Sequence, residues 1–207
     1  MRTGPIKSTT IVALGAAGMC LATAPASAQF AGFGPPTILS AQAADQPQAV
    51  VVGDFDGDGD NDLAVAYTGT NNVAIFKNNG DGTFEPQPFT VNVGQGPISI
   101  VTGNLDSDID GDLDLAVANN GSLDATILKN DGLGVFTQFG SPIFLGGTFT
   151  PSLAIGDLNN DGKLDLAANT FVAQVQGVIT TLLNDGSGSF SVSTVDIDAP
   201  KSVTIAD

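Results

Sequence analysis

"GDFDGDGDNDLAVA", residues 53–66, carries five acids in its first ten positions and then turns abruptly apolar. Asp54, Asp56, Asp58, Asp60 and Asp62 fall at every second position. Without a counter-charge, that density repels itself and opposes compaction. The stretch returns as "GNLDSDIDGDLDLAVA" (103–118) and as "GDLNNDGKLDLAAN" (156–169). The steps from Asp62 to Asp114 to Asp165 are 52 and then 51 residues.

Each acidic stretch follows a Pro-led apolar segment: "PQAVVV" (47–52), "PISIVT" (97–102) and "PSLAI" (151–155). Each is followed by a further pair of strand patterns around a shared turn: "VAIFKNNGDGTF" (73–84), "ATILKNDGLGVF" (125–136) and "ITTLLNDGSGSF" (179–190). A period of ~50 residues made of short strands and Gly-rich turns indicates propeller blades rather than a sandwich. In the first unit the four strands are expected at 47–52, 63–67, 72–77 and 86–92. The runs "AVVV" and "LAVA" lack clean alternation, which suits strands covered on both faces by neighbouring blades. The N-[ND]-G-x-G-x-F segment supplies positive-φ positions for a tight hairpin, with Phe84, Phe136 or Phe190 as a packing anchor.

The fold class expected is therefore all-β, with blades of four antiparallel strands at 47–96, 97–150 and 151–199. Residues 29–46 form an N-terminal segment. Within it, "FGPPTILSAQ" (33–42) matches the outer strand of a blade, and such a strand can latch a ring shut. "PKSVTIAD" (200–207) repeats "PQAVVVGD" and reads as the first strand of a truncated fourth blade. Three blades and two stray strands do not close a ring of ordinary size. The chain is thus expected to be part of a longer propeller, with open edges that favour self-association.

The first 28 residues read as a secretory signal peptide. Arg2 and Lys7 make a positive start, "TIVALGAAGMCLATA" is a short apolar run, and Ala26-Ser27-Ala28 ends an A-x-A site. A membrane anchor fits poorly because the run is short and broken by small residues. Met19 before Cys20 is not the small residue that lipoprotein processing wants. Cleavage leaves four lysines against 22 acids, a net charge of −18, with no Cys, Arg, His or Trp. A secreted chain without Cys needs some stabiliser other than disulfides. Its charge argues against nucleic acid and anionic membranes as partners and for cations.

The three loops follow D-x-[DN]-x-D-G-x-x-D. Loop one offers Asp54, Asp56, Asp58, the Asp60 carbonyl and Asp62. Loop two offers Asp106, Asp108, Asp110, the Asp112 carbonyl and Asp114. Loop three offers Asp157, Asn159, Asp161, the Lys163 carbonyl and Asp165. Calcium takes six to eight oxygen ligands, and a loop turning around it presents alternate side chains inward with Gly at the sharp sixth position. The seventh position ligates through its backbone, which is why Lys163 is acceptable there. An EF-hand would need Glu at position 12, where Val65, Val117 and Ala168 stand in strand patterns. Isolated Asx-turns could explain one such loop, but three in register favour about three calcium sites. Loop two has two extra residues after Gly103. Counting from Pro97 puts Asn104 first, whereas counting back from Asp114 puts Asp106 first; the second frame keeps Gly111 at the bend and is preferred, with Asn104 a substitute ligand.

On these motifs, residues 33–207 resemble the FG-GAP/VCBS repeat family, whose blades occur in integrin α-subunit propellers and many secreted bacterial proteins. The resemblance implies rings of seven or eight blades, with calcium loops joining the first and second strands of a blade. A secreted, calcium-dependent binding or adhesion module with a protein or glycan ligand is the function expected. The alternatives are a propeller enzyme acting on carbohydrate, as related propellers do, or a structural repeat array in a larger surface protein. Catalysis is disfavoured because no His, Cys or Arg remains after cleavage and most acids sit in the loops. With no Trp and a single Tyr, Tyr67, aromatic sugar platforms are scarce.

Overall fold

The computed structural model describes residues 39, 45–106, 111–172, 176–197 and 203–205. Segment 1–28, expected to be a signal peptide, the expected latch strand 33–42 apart from Leu39, and the expected ligands Asp108 and Asp110 lie outside the described residues. So do 200–202 and 206–207 of the fourth unit.

All regular structure among the described residues is β, in three antiparallel sheets. The first holds β1 (Pro47–Gly53), β2 (Asp62–Tyr67), β3 (Asn72–Phe76) and β4 (Phe89–Asn92) in sequence order. The second holds β5 (Pro97–Gly103), β6 (Asp114–Asn119), β7 (Asp124–Asn130) and β8 (Phe136–Gln138). A fifth strand, β9 (Ile143–Phe144), pairs with β7 further along, so the outer edge of this blade is broken in two around Gly140, at φ 73°. The third sheet holds β10 (Phe149–Gly156), β11 (Asp165–Val172), β12 (Gln176–Asn184) and β13 (Phe190–Ile197). The first strands adjoin one another from sheet to sheet, β1 beside β5 and β5 beside β10. These are propeller-like blades.

The prolines mark an irregularity in each first strand. Register shifts fall between Pro47 and Ala49, between Pro97 and Ser99, and between Phe149 and Ser152. Pro cannot donate to a ladder, and a bulge is where a strand tolerates it. In the third sheet the strand begins two residues ahead of Pro151, because Phe149 pairs with Phe171 across the bulge.

Strand alternation decides which face meets which neighbour. Ala64 and Ala66 of β2 join Phe55, Val73 and Ile75 against Leu115 and Val117 of β6, where Phe55 meets Phe136 edge-on at 5.6 Å. Ala116 and Ala118 on the opposite face of β6 pack with Leu166 and Ala168 of β11. The first two blades thus offer alanines on one face and larger side chains on the other, which allows close interdigitation. Burying each Leu or Val in such an interface stabilises by about 1.5–3 kcal/mol. "LAVA" is buried throughout, as the sequence suggested, but "AVVV" is not: β1 is half-covered and Val52 is 54% exposed. Tyr67 is buried, and that burial raises its hydroxyl pKa.

Candidate metal centre

Each acidic loop joins the first two strands of its sheet, and its ends are closed by a paired Gly and Asp: Gly53 with Asp62, Gly103 with Asp114, Gly156 with Asp165. Glycine at the sixth position is required by conformation. Gly59, Gly111 and Gly162 have φ of 90°, 71° and 83°, and open space surrounds the place where a Cβ would sit. In loop one the Asp54 carboxylate accepts from Gly57 N (2.8 Å) and Gly59 N (2.9 Å), curling the chain around it. Loop three repeats the device, with Asp157 accepting from Asp161 N (3.2 Å) and Gly162 N (2.9 Å).

The structure gathers two acidic groups among the described residues, Asp54 with Asp56 and Asp58, and Asp106 with Asp112 and Asp114. In each, one carboxylate oxygen per residue lies within 4.8 Å of the others, close enough to hold one metal ion. Asp56 Oδ1 is buried with no hydrogen-bond partner. An all-oxygen donor set of this kind suits a hard cation. Asp112 enters the second group through its carboxylate, whereas the sequence assigned only its carbonyl. Asp157, Asn159 and Asp161 lie together in loop three, where Asn159 replaces one acid and Asp161 accepts from Lys163 N at 2.9 Å. That N–H, with the Lys163 ammonium, holds the Asp161 carboxyl below its ordinary pKa.

The ninth-position acids take a role beyond the ligation expected of them. Asp62, Asp114 and Asp165 are buried and act as latches. Asp62 accepts from Phe55 N (3.0 Å) and Asn78 N (2.8 Å). Asp114 accepts from Leu105 N (2.8 Å), Asp106 N (3.2 Å) and Asn130 N (2.9 Å). Asp165 accepts from Leu158 N (2.9 Å) and Asn184 N (2.7 Å). Burial raises the Asp62 and Asp114 pKa values even against these N–H donors. Asp62 stands outside the loop-one group, whereas Asp114, its oxygens engaged by backbone in the same way, belongs to the loop-two group.

The latches also correct the frame of loop two. Leu105, two residues after Gly103, bonds to Asp114 as Phe55 bonds to Asp62 and as Leu158 bonds to Asp165. Asn104 therefore matches Asp54, and Asp106 matches Asp56; the two extra residues enter after Asp106, not directly after Gly103.

Two sets of residues escaped the sequence reading. Asn130 Nδ2 donates to Phe55 O (2.8 Å) and Leu113 O (3.3 Å), and Asn184 Nδ2 donates to Leu105 O (2.6 Å) and Leu164 O (3.0 Å). Each hairpin Asn thus staples the preceding sheet's acidic loop to its own. Lys77 and Lys129 are the second set, and they join Lys163, already placed in loop three, in facing the acids. Lys77 Nζ lies 3.2 Å from Asp56, Lys129 pairs with Asp106, and Lys163 Nζ lies 3.2 Å from Asp161.

The model of the FG-GAP-like repeat family matches residues 54–109 and 108–168, each copy starting within one acidic loop and running into the next. The chain belongs to the FG-GAP-like repeat family. No curated protein matches it closely enough to count as a relative. Among solved structures, it is similar to a chain of the "crystal structure of BBS1N in complex with ARL6DN, soaked with lead", at 14% identity and a TM-score of 0.38. That likeness covers 70% of this chain and 55% of that one. Among the described residues of this FG-GAP-like chain, no helix is long and apolar enough to cross a membrane.

Proposed function

We propose that this FG-GAP-like chain is a secreted calcium-binding module that presents a rigid blade surface to a protein or glycan ligand and is not catalytic. The observation that carries the calcium reading is the gathering of three carboxylates in each of loops one and two, with a buried Asp56 oxygen lacking a hydrogen-bond partner among the described residues. Asp54, Asp56 and Asp58 would hold one ion, and Asp106, Asp112 and Asp114 a second. Asp157, Asn159 and Asp161 would hold a third, more weakly. Bound calcium supplies charge neutralisation, so the loops can stay closed and keep the first two strands of each blade in register. The reading as a secreted protein is supported by residues 1–28, and the non-catalytic reading by the lack of His, Cys and Arg in 29–207.

Melting curves with calcium and with chelator test the metal. Ligand binding only to the folded state adds about 2.7 kcal/mol per site at a hundredfold excess over Kd, so several degrees of shift are expected. An unchanged melting temperature would refute the reading. A protein and glycan array probed with and without calcium then identifies the ligand class.

A further inference from the structure

Basic residues are scarce in this chain, and their placement is selective. Residues 29–207 contain only Lys77, Lys129, Lys163 and Lys201, with no Arg. Three of these four place their ammonium on an acidic loop: Lys77 on Asp56, Lys129 on Asp106 and Lys163 on Asp161. Lys77 and Lys129 are repeat-equivalent, reaching their loops from the end of the third strand, and their partners Asp56 and Asp106 are equivalent as well. The third blade has Leu183 at that place and instead carries its lysine within the loop, at position 163. One cation per loop is thus reached by two different routes, which copying of a repeat does not explain. Lys77 Nζ also donates to Leu133 O of the next sheet's hairpin, so it keeps an anchor when it leaves Asp56.

We propose that Lys77, Lys129 and Lys163 are built-in counter-cations. Each neutralises its loop when no metal is bound and competes with the incoming divalent ion for the same carboxylate. The inference rests on the calcium reading. It goes further by making metal affinity a balance between the ion and a tethered ammonium. An incidental surface ion pair would do neither, since such pairs contribute little and are screened by salt. The competitor makes opposite demands on the two states: its removal weakens the metal-free fold and strengthens the metal site.

The test is Lys77→Met in the full chain, which keeps the aliphatic stem and deletes the charge, followed by calorimetric calcium titration and by melting in chelator. The expected result is a lower melting temperature in chelator together with one calcium site about tenfold tighter than in the wild type. In saturating calcium the variant should melt at or above the wild type. Lys163→Met provides the second variant, because its ammonium pairs within its own exposed loop and its loss spares the sheet interfaces. If the wild type binds calcium but neither variant binds it more tightly, the proposal is overturned. If the wild type binds no calcium, the calcium reading fails first and the competition falls with it.

Discussion

Replacing Asn184 by Ala should destabilise the protein far more than replacing Asn78, although both hold the same place in the hairpin repeat. Asn184 is buried, and its amide supplies donors to two carbonyls, Leu105 O at 2.6 Å and Leu164 O at 3.0 Å. The first belongs to the acidic loop of the preceding sheet, 79 residues away. Truncation leaves a buried carbonyl without its donor, at a cost of about 1–3 kcal/mol. It also removes a second, partly buried bond worth about 1 kcal/mol. The total is about 3 kcal/mol, or roughly 6–12 °C in melting temperature for a chain of this size. Asn78 donates instead to Asn61 O (2.9 Å) in an exposed setting within its own sheet, where water replaces the lost partner. Its truncation should cost less than about 1 kcal/mol. Urea unfolding of both variants in saturating calcium gives the comparison. Equal losses, or a loss below 1 kcal/mol for Asn184→Ala, would show that the inter-sheet staple contributes nothing beyond turn formation.

Three further outcomes are expected. Metal-stripped protein should become more stable as pH falls from neutral toward the ordinary aspartate value of 3.8, because burial raises Asp62 and Asp114 in the folded state, which therefore takes up protons first. Below that value the trend should reverse, as Asp81, Asp161 and Asp185 lose the stabilisation supplied by Thr83, Lys163 and Ser187 hydrogen bonds; a monotonic fall from neutral pH in melting curves would contradict this. Gly162→Ala should cost about 1–2 kcal/mol by urea unfolding, from its φ of 83° alone, since no atom lies within 4 Å of the new Cβ. Gly156→Ala should cost a similar amount (about 1–3 kcal/mol) by crowding instead, because its Cβ would fall 2.7 Å from Ile205 Cγ2.

The blades and the loops were legible because their signals are local. Strand patterns, positive-φ glycines and alternate acids each declare themselves within about ten residues, and the 51–52-residue step between repeats puts them in order. Partners distant in sequence leave no such mark. Asn130 and Asn184 read as turn residues, yet their amides act on carbonyls 75 and 79 residues back. Lys77 and Lys129 follow apolar strands and look like ordinary solvated ends, with nothing nearby in the sequence to name their carboxylate partners. The ninth-position aspartates hid their latch role for a different reason. Spacing places a carboxylate at a loop's end but does not say whether backbone N–H groups have already claimed its oxygens.

Loop two shows what those claimed oxygens accomplish. Asp62 holds Phe55 N, and Phe55 O receives Asn130 Nδ2. Asn130 N bonds to Asp114, which holds Leu105 N, and Leu105 O receives Asn184 Nδ2. Asn184 N then bonds to Asp165, which holds Leu158 N. An unbroken line of hydrogen bonds therefore pins the entry and exit of every acidic loop to its neighbours. Both limbs of loop two are fixed by this line: Leu105 and Asp106 by Asp114, and Leu113 O by Asn130. Extra residues between the limbs cost only loop-closure entropy, which grows slowly with length. The insertion falls after Asp106, between the two pinned limbs. The same two residues placed before Leu105 would have moved its N–H and C=O off both partners at once.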